Sequence, residues 1–158
     1  MALKGGNHVS SVKKLTLLHS NDLHGDFLAE EVDSQLIGGV SMLSGYVNKV
    51  RKEEKNAIYC IAGDMFRGSV IDSEFRGIST IEIMNMLSPD VVTIGNHEID
   101  YGIAHLLFLE KCAKFPIINA NLHISTNSWI TSLCIIHCKT SVFINRPHKI
   151  TCIIIWMF

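Results

Sequence analysis

The chain has 158 residues, 47% of them apolar and 18% charged, which is enough to bury the core of one domain and too apolar for a disordered chain. Its 14 Lys and Arg against 15 Asp and Glu leave a net charge of -1, so no basic face is on offer to a nucleic-acid backbone and nucleic acid is not an expected partner. No apolar run reaches the roughly 18 residues that span a bilayer, and no membrane partner is expected either.

Residues 1–14 read as a lead that carries Lys4, Lys13 and Lys14 but no apolar stretch of signal-peptide length, so the expected location is cytoplasmic. The five cysteines form no CxxC pair, which fits reduced thiols better than a disulfide framework or a zinc knuckle. From 15 to 18 the chain is apolar and then breaks into Ser20-Asn21-Asp22-Leu23-His24-Gly25-Asp26, the pattern of a short buried strand ending in a polar loop. Val40, Leu43, Val47 and Val50 then share one helical face. A second strand over 57–62 runs into Gly63-Asp64, and Ile78, Ile81, Met84 and Leu87 mark a second helix. A third strand over 91–94 runs into Gly95-Asn96-His97-Glu98. A third helical face follows with Ile103, Leu106 or Leu107, and Cys112, and a fourth strand over 115–119 ends in Ala120-Asn121. Strand alternating with helix predicts an α/β fold with a mainly parallel sheet, in which polar residues at the C-terminal strand ends converge on one crevice.

The composition breaks near residue 124. All 15 acidic residues lie at or before Glu110; at the upstream frequency the last 34 residues would hold about four and they hold none. Lys139, Arg146 and Lys149 give this stretch a net +3. It is rich in Ile and Thr, contains Trp129 and Trp156, and ends on the apolar run 153–158. Residues 125–158 are therefore expected to be an anomalous, β-rich apolar tail that arose by truncation or frameshift.

The strand ends carry the chemistry. Asp22 and His24 come from the first, Asp64 from the second, and Asn96 and His97 from the third. Residues two apart on a strand share a face, so Asp22 and His24 are expected to reach one metal ion together. The Asp64 carboxylate can bridge to a second ion, for which the amide oxygen of Asn96 is a hard neutral ligand. Two ions about 3.5–4 Å apart form the clamp that hydrolyses phosphate esters, polarising phosphoryl oxygens while a hydroxide attacks in line. His97 is then free to stabilise phosphoryl charge or to protonate the leaving oxygen, with Asp100 orienting its ring. Taken singly, Asp-x-His or Gly-Asp is weak; in sequence after successive strands they reinforce one another. His8, His19, His105 and His123 read as ordinary solvated or capping histidines.

Residues 15–122 resemble the N-terminal part of the calcineurin-like metallophosphoesterases, in particular the 5'-nucleotidase, UDP-sugar hydrolase and 2',3'-cyclic phosphodiesterase family. The resemblance is carried by LLHSNDLHGDF (17–27), IAGDMFRGS (61–69), TIGNHEID (93–100) and INANL (118–122). It implies a metallophosphatase-type α/β/α sandwich, truncated here, with 15–124 forming the N-terminal half of the catalytic domain. It implies Asp22, His24, Asp64 and Asn96 as ligands of two divalent ions (Mn, Zn, Co, Fe or Mg), His97 and Asp100 as the catalytic pair, and a nucleotide or other phosphate ester as substrate. The family's later Gly-His and Gly-His-x-His loops have no counterpart in the chain, nor does its C-terminal nucleotide-binding domain. The expected function is therefore a nucleotide-directed phosphoric ester hydrolase impaired by truncation, with a non-catalytic metal-binding remnant as the alternative.

Overall fold

The computed structural model describes residues 13–119 in full and 124–126, 129–131 and 150–156 as backbone. The first strand, β1 (Lys13–Ser20), leads into a hairpin of β2 (Glu30–Val32) and β3 (Gln35–Ile37), and then into α1 (Gly39–Glu53) and β4 (Ala57–Ile61). Next come α2 (Val70–Glu74), α3 (Ile78–Leu87) and β5 (Val91–Thr93), followed by a 3-10 turn (His97–Ile99), α4 (Ile103–Cys112) and β6 (Ile117–Ile118). The described backbone beyond 119 comprises β7 (Ile124–Thr126), β8 (Trp129–Thr131) and β9 (Ile150–Trp156). The rest of the expected tail lies outside the described residues.

Five strands form one sheet in the order β6-β5-β4-β1-β9, with every neighbouring pair parallel. The expected strand-helix alternation and the α/β class hold: β1, β4, β5 and β6 stand side by side in chain order, separated by helices. Register then selects the core. Leu18 pairs with Tyr59, Ile61 with Val92, and Val92 with Ile117, so these five residues share one face of the sheet and are all buried. Val47 and Val50 from α1, Ile81, Met84 and Leu87 from α3, and Leu109 from α4 close over that face as a single cluster. The Tyr59 hydroxyl shares a 2.7 Å hydrogen bond with Ser20 inside it, which removes the cost of burying a phenol in an apolar layer. The periodicity left Leu106 and Leu107 open; the fold buries Leu106 and Leu109 and leaves Leu107 at the margin.

Two elements carry no readable period. The β2–β3 hairpin turns through Asp33 and Ser34, both at positive φ, the two-residue geometry that matches the right-handed twist of paired strands. Its strand residues are exposed on both faces, so no alternation announces it. Helix α2 is five residues long, too short for a 3.6-residue stripe, and is capped by Ser69, whose hydroxyl accepts from the Asp72 amide. Among the described residues no helix is long and apolar enough to cross a membrane.

Candidate metal centre

Each candidate metal ligand, and His97 with them, stands just past the C-terminal end of a strand: Asp22 and His24 after β1, Asp64 after β4, and Asn96 and His97 after β5. Because β1, β4 and β5 are parallel and adjacent, the three loops lie together at one sheet edge. The β1–β4 ladder continues beyond the strands into these loops. Ala62 donates its amide to the Ser20 carbonyl at 2.9 Å, Asp22 to Gly63 at 3.2 Å, His24 to Asp64 at 3.0 Å and Gly25 to Met65 at 2.8 Å.

The reason Asp22 and His24 come together differs from the one expected. Neither is in strand conformation; both adopt left-handed backbone (φ 52° and 49°), as does Asp64 (φ 53°). For residues with a Cβ this costs about 1–2 kcal/mol each, and three such residues in two neighbouring loops mark a place where the fold holds strain. Loop inversion, and not strand alternation, brings the Asp22 carboxylate to 3.9 Å from His24 Nε2. Asn21 donates its side-chain amide to the other Asp22 oxygen.

His24, Asp64 and His97 form a three-way cluster in which one potential ligand atom from each lies within 4.8 Å of the others. The two imidazole rings meet edge to face, with centroids 5.1 Å apart. Asp64 is oriented by the His97 amide, which donates to its Oδ1 at 3.0 Å. Two imidazoles and a carboxylate suit a borderline divalent ion. Ligand bonds of about 2.0–2.2 Å place two donors on one ion at most about 4.4 Å apart, so side-chain shifts of a few tenths of an ångström would bring the cluster onto one. Asp22 and Asn96 are exposed at the rim, Asn96 at the start of the 3-10 turn, and Asp22 lies outside the three-way grouping.

His97 has a second engagement. Its Nδ1 lies 2.8 Å from Asp100 Oδ2. Asp100 sits at the end of the 3-10 turn, three residues before α4 begins. The hydrogen bond to Asp100 raises the His97 pKa above its ordinary value, against a smaller opposing effect of desolvation; the same bond holds the Asp100 carboxyl below its usual range.

Three residues that the sequence left without a role organise these loops. Glu98 is 1% exposed and its carboxylate accepts three backbone amides: Asp64 at 2.9 Å, Gly95 at 2.6 Å and Met65 at 2.7 Å. Asp72 is fully buried and accepts from the Arg67 amide at 2.7 Å, the Tyr101 hydroxyl at 2.9 Å and the Thr80 hydroxyl. Arg67 lies between them and the histidines: its Nε donates to Asp100 Oδ2 at 3.1 Å, and its carbonyl accepts from His24 Nδ1 at 2.8 Å. In sequence, Glu98 and Asp72 are indistinguishable from surface acids, since their partners lie far along the chain or in loops whose register is unknown.

This arrangement sits on a fold whose family is shown: the calcineurin-like phosphoesterase model matches residues 15–153, and the chain belongs to that family. The match crosses the composition break at 124 and ends within β9, the strand that pairs with β1. The chain is 36% identical to mouse 5'-nucleotidase over 121 residues, covering 72% of this chain and 21% of that protein. It is also 36% identical to human 5'-nucleotidase over 117 residues, covering 69% and 20%. Among solved structures it superposes on the NAD nucleotidase of Haemophilus influenzae with a TM-score of 0.62 and 33% identity, over 74% of this chain and 21% of that one. The 5'-nucleotidase precursor of Thermus thermophilus gives a TM-score of 0.59 at 29% identity, over 66% and 22%. The chain thus spans about a fifth of the length of the curated relatives it matches.

Proposed function

We propose that the chain carries the metal-binding strand ends of a phosphoric ester hydrolase that acts on nucleotides. Asp22, His24, Asp64 and Asn96 hold two divalent ions, and His97 with Asp100 handles the proton. The observation that carries this reading is the convergence of His24, Asp64 and His97 at the C-terminal edge of the parallel sheet. Asp64, in the middle loop and tied to both neighbours, is the carboxylate placed to serve both ions. When bound, such ions supply Lewis-acid charge to a phosphoryl oxygen. His97 offers its Nδ1–H to Asp100, which leaves Nε2 to hold a proton beside the phosphoryl group and release it to the leaving oxygen. The hydrogen bond to Asp100 raises the His97 pKa above its ordinary value. The relatives named 5'-nucleotidase point to a nucleoside monophosphate as substrate, and no nucleic-acid or membrane partner enters the reading.

The test is phosphate release from AMP with Mn²⁺ by the full chain and by His97→Ala. Loss of a positioned acid of this kind lowers turnover by roughly 10² to 10⁴-fold, and a drop in that range is the expected result. Equal rates in the two proteins would remove His97 from the chemistry. Mn²⁺ binding without any phosphate release by the wild type would make the chain a metal-binding remnant.

A further inference from the structure

Of the residues around the site, Arg67 is the one whose every polar group faces a different part of it. Its backbone is left-handed, with φ 67°. That inversion turns its amide toward buried Asp72, at 2.7 Å, and its carbonyl toward His24 Nδ1, at 2.8 Å. Its guanidinium lies 5.4 Å from the centroid of the Tyr101 ring and reaches Asp100 Oδ2 at 3.1 Å. Tyr101 in turn donates to the same Asp72 oxygen that takes the Arg67 amide. The backbone and the side chain of one residue are thus clamped separately.

We propose that Arg67 is a positioning residue for both site imidazoles, its carbonyl holding His24 and its guanidinium holding His97 through Asp100. The argument for His24 is one of hydrogen-bond type. A carbonyl only accepts, so His24 Nδ1 carries the proton and the lone pair of the neutral ring is at Nε2, the nitrogen left for a metal ion. The argument for His97 is one of geometry. Asp100 Oδ2 accepts from both His97 Nδ1 and Arg67 Nε. An unshared carboxylate can swing about its own side-chain bonds; one pinned by a guanidinium that is itself stacked on Tyr101 cannot, and the imidazole that leans on it is held with it. Arginine suits this position because its planar fork can stack and donate at once, which an ammonium cannot.

The inference rests on the roles given to His97 and Asp100 above, and its test separates the two. Arg67→Gly removes the guanidinium while keeping the carbonyl, and glycine adopts the left-handed backbone without strain. In the metal-free full chain, ¹⁵N-labelled histidine side chains are followed by NMR. The expected result is that the His97 ring loses its fixed Nδ1–H signal and gains motion, while His24 keeps its Nδ1–H form because residue 67 still presents its carbonyl. Millimolar guanidinium chloride, far below denaturing concentration, is expected to restore the His97 signal. Arg67→Lys, which leaves the backbone residue type with a Cβ, is expected to loosen His97 likewise. A His97 ring equally ordered in both variants would overturn the proposal. In the activity assay, loss of such a supporting residue should lower kcat about 10- to 100-fold with KM little changed, and recovery with guanidinium should follow the NMR recovery. A wild type that releases no phosphate would sink the proposed function while the NMR arm still decides the positioning role of Arg67.

Discussion

Glu98 shows how one buried side chain can join two loops that sequence keeps 33 and 34 residues apart. Its two oxygens take three amide donors, so the carboxylate is satisfied despite lying out of reach of water. Glu98→Gln replaces one acceptor oxygen with a donor that must face at least one of those amides. Leaving a buried donor unpaired costs about 1–3 kcal/mol, and that loss is expected in urea unfolding as a lowered midpoint at unchanged slope. A midpoint within error of the wild type would show that the three amides find other acceptors. His97 and Asp100 make a second prediction at this scale. The His97 pKa lies above its ordinary 6.5, so the pair contributes stability that is complete below that value and is lost as pH rises through the raised one. Asp100 lies below its ordinary 3.8, so its contribution is complete above that value and is lost as pH falls through the depressed one. An NMR titration of the metal-free protein should place the His97 midpoint above 6.5, and Asp100→Asn should bring it down. A midpoint unmoved by Asp100→Asn would separate the contact from the shift.

At the scale of elements, the site depends on how closely the loops after β4 and β5 approach. Gly63 has φ +91°, and a Cβ there would lie 2.5 Å from the Gly95 nitrogen and 2.8 Å from its Cα. A Cβ on Gly95 would in turn meet the Asp64 amide at 2.6 Å. The two glycines let the Asp64 and Asn96-His97 loops touch backbone to backbone. Gly63→Ala therefore combines a left-handed alanine, about 1–2 kcal/mol, with a clash against main chain that cannot rotate away. Destabilisation of more than about 2 kcal/mol is expected, together with weaker Mn²⁺ binding in calorimetry. Unchanged metal affinity would mean that the spacing of these loops does not set the cluster. Strands β1, β4, β5 and β6 were legible because each is an apolar run that breaks within a few residues into a small or polar loop, and the three longer helices because each is long enough to show its period. The hairpin was not, since exposed residues on both faces carry no alternation, and Asp33-Ser34 lacks the glycine that usually advertises such a turn.

For the molecule as a whole, the prediction concerns metal as a structural ligand. An ion that binds the folded chain and not the unfolded one stabilises it by mass action, by about 2.7 kcal/mol at a hundredfold excess over Kd, which corresponds to a rise in Tm of roughly 5–10 °C for a chain of this size. Mn²⁺ is expected to raise the melting temperature, EDTA to reverse the rise, and Asp64→Ala to abolish most of it, since that carboxylate accepts from the His97 amide and has an oxygen within 4.8 Å of a ring nitrogen of His24. A metal-induced rise that persists in Asp64→Ala would place the binding residues elsewhere. Between the family match and the fold there is agreement at this scale: the matched residues 15–153 take in all four strands that were expected and the first part of β9 on the far side of β1.

Asp22, His24, Asp64, Asn96, His97 and Asp100 could be named as candidates from the amino-acid order because each lies within a few residues of the strand or turn that presents it. Strand periodicity and loop composition are local properties, and they survive without knowledge of partners. The α/β class follows from the same local signals taken in series. What they could not supply is the pairing between loops. That Glu98 spans to Asp64 and Met65, that Asp72 gathers Arg67, Tyr101 and Thr80, and that Arg67 touches His24 directly and His97 through Asp100 depends on the register Cys60↔Val91 and Leu18↔Tyr59. A one-residue slip in either pairing would turn the buried strand residues to the other face and shift the loops that carry these acids against one another. It also took the folded loops to show that Asp22 and His24 meet through left-handed backbone, because the dihedral that brings them together is imposed by amides and carbonyls of the neighbouring strand's loop, some forty residues away along the chain.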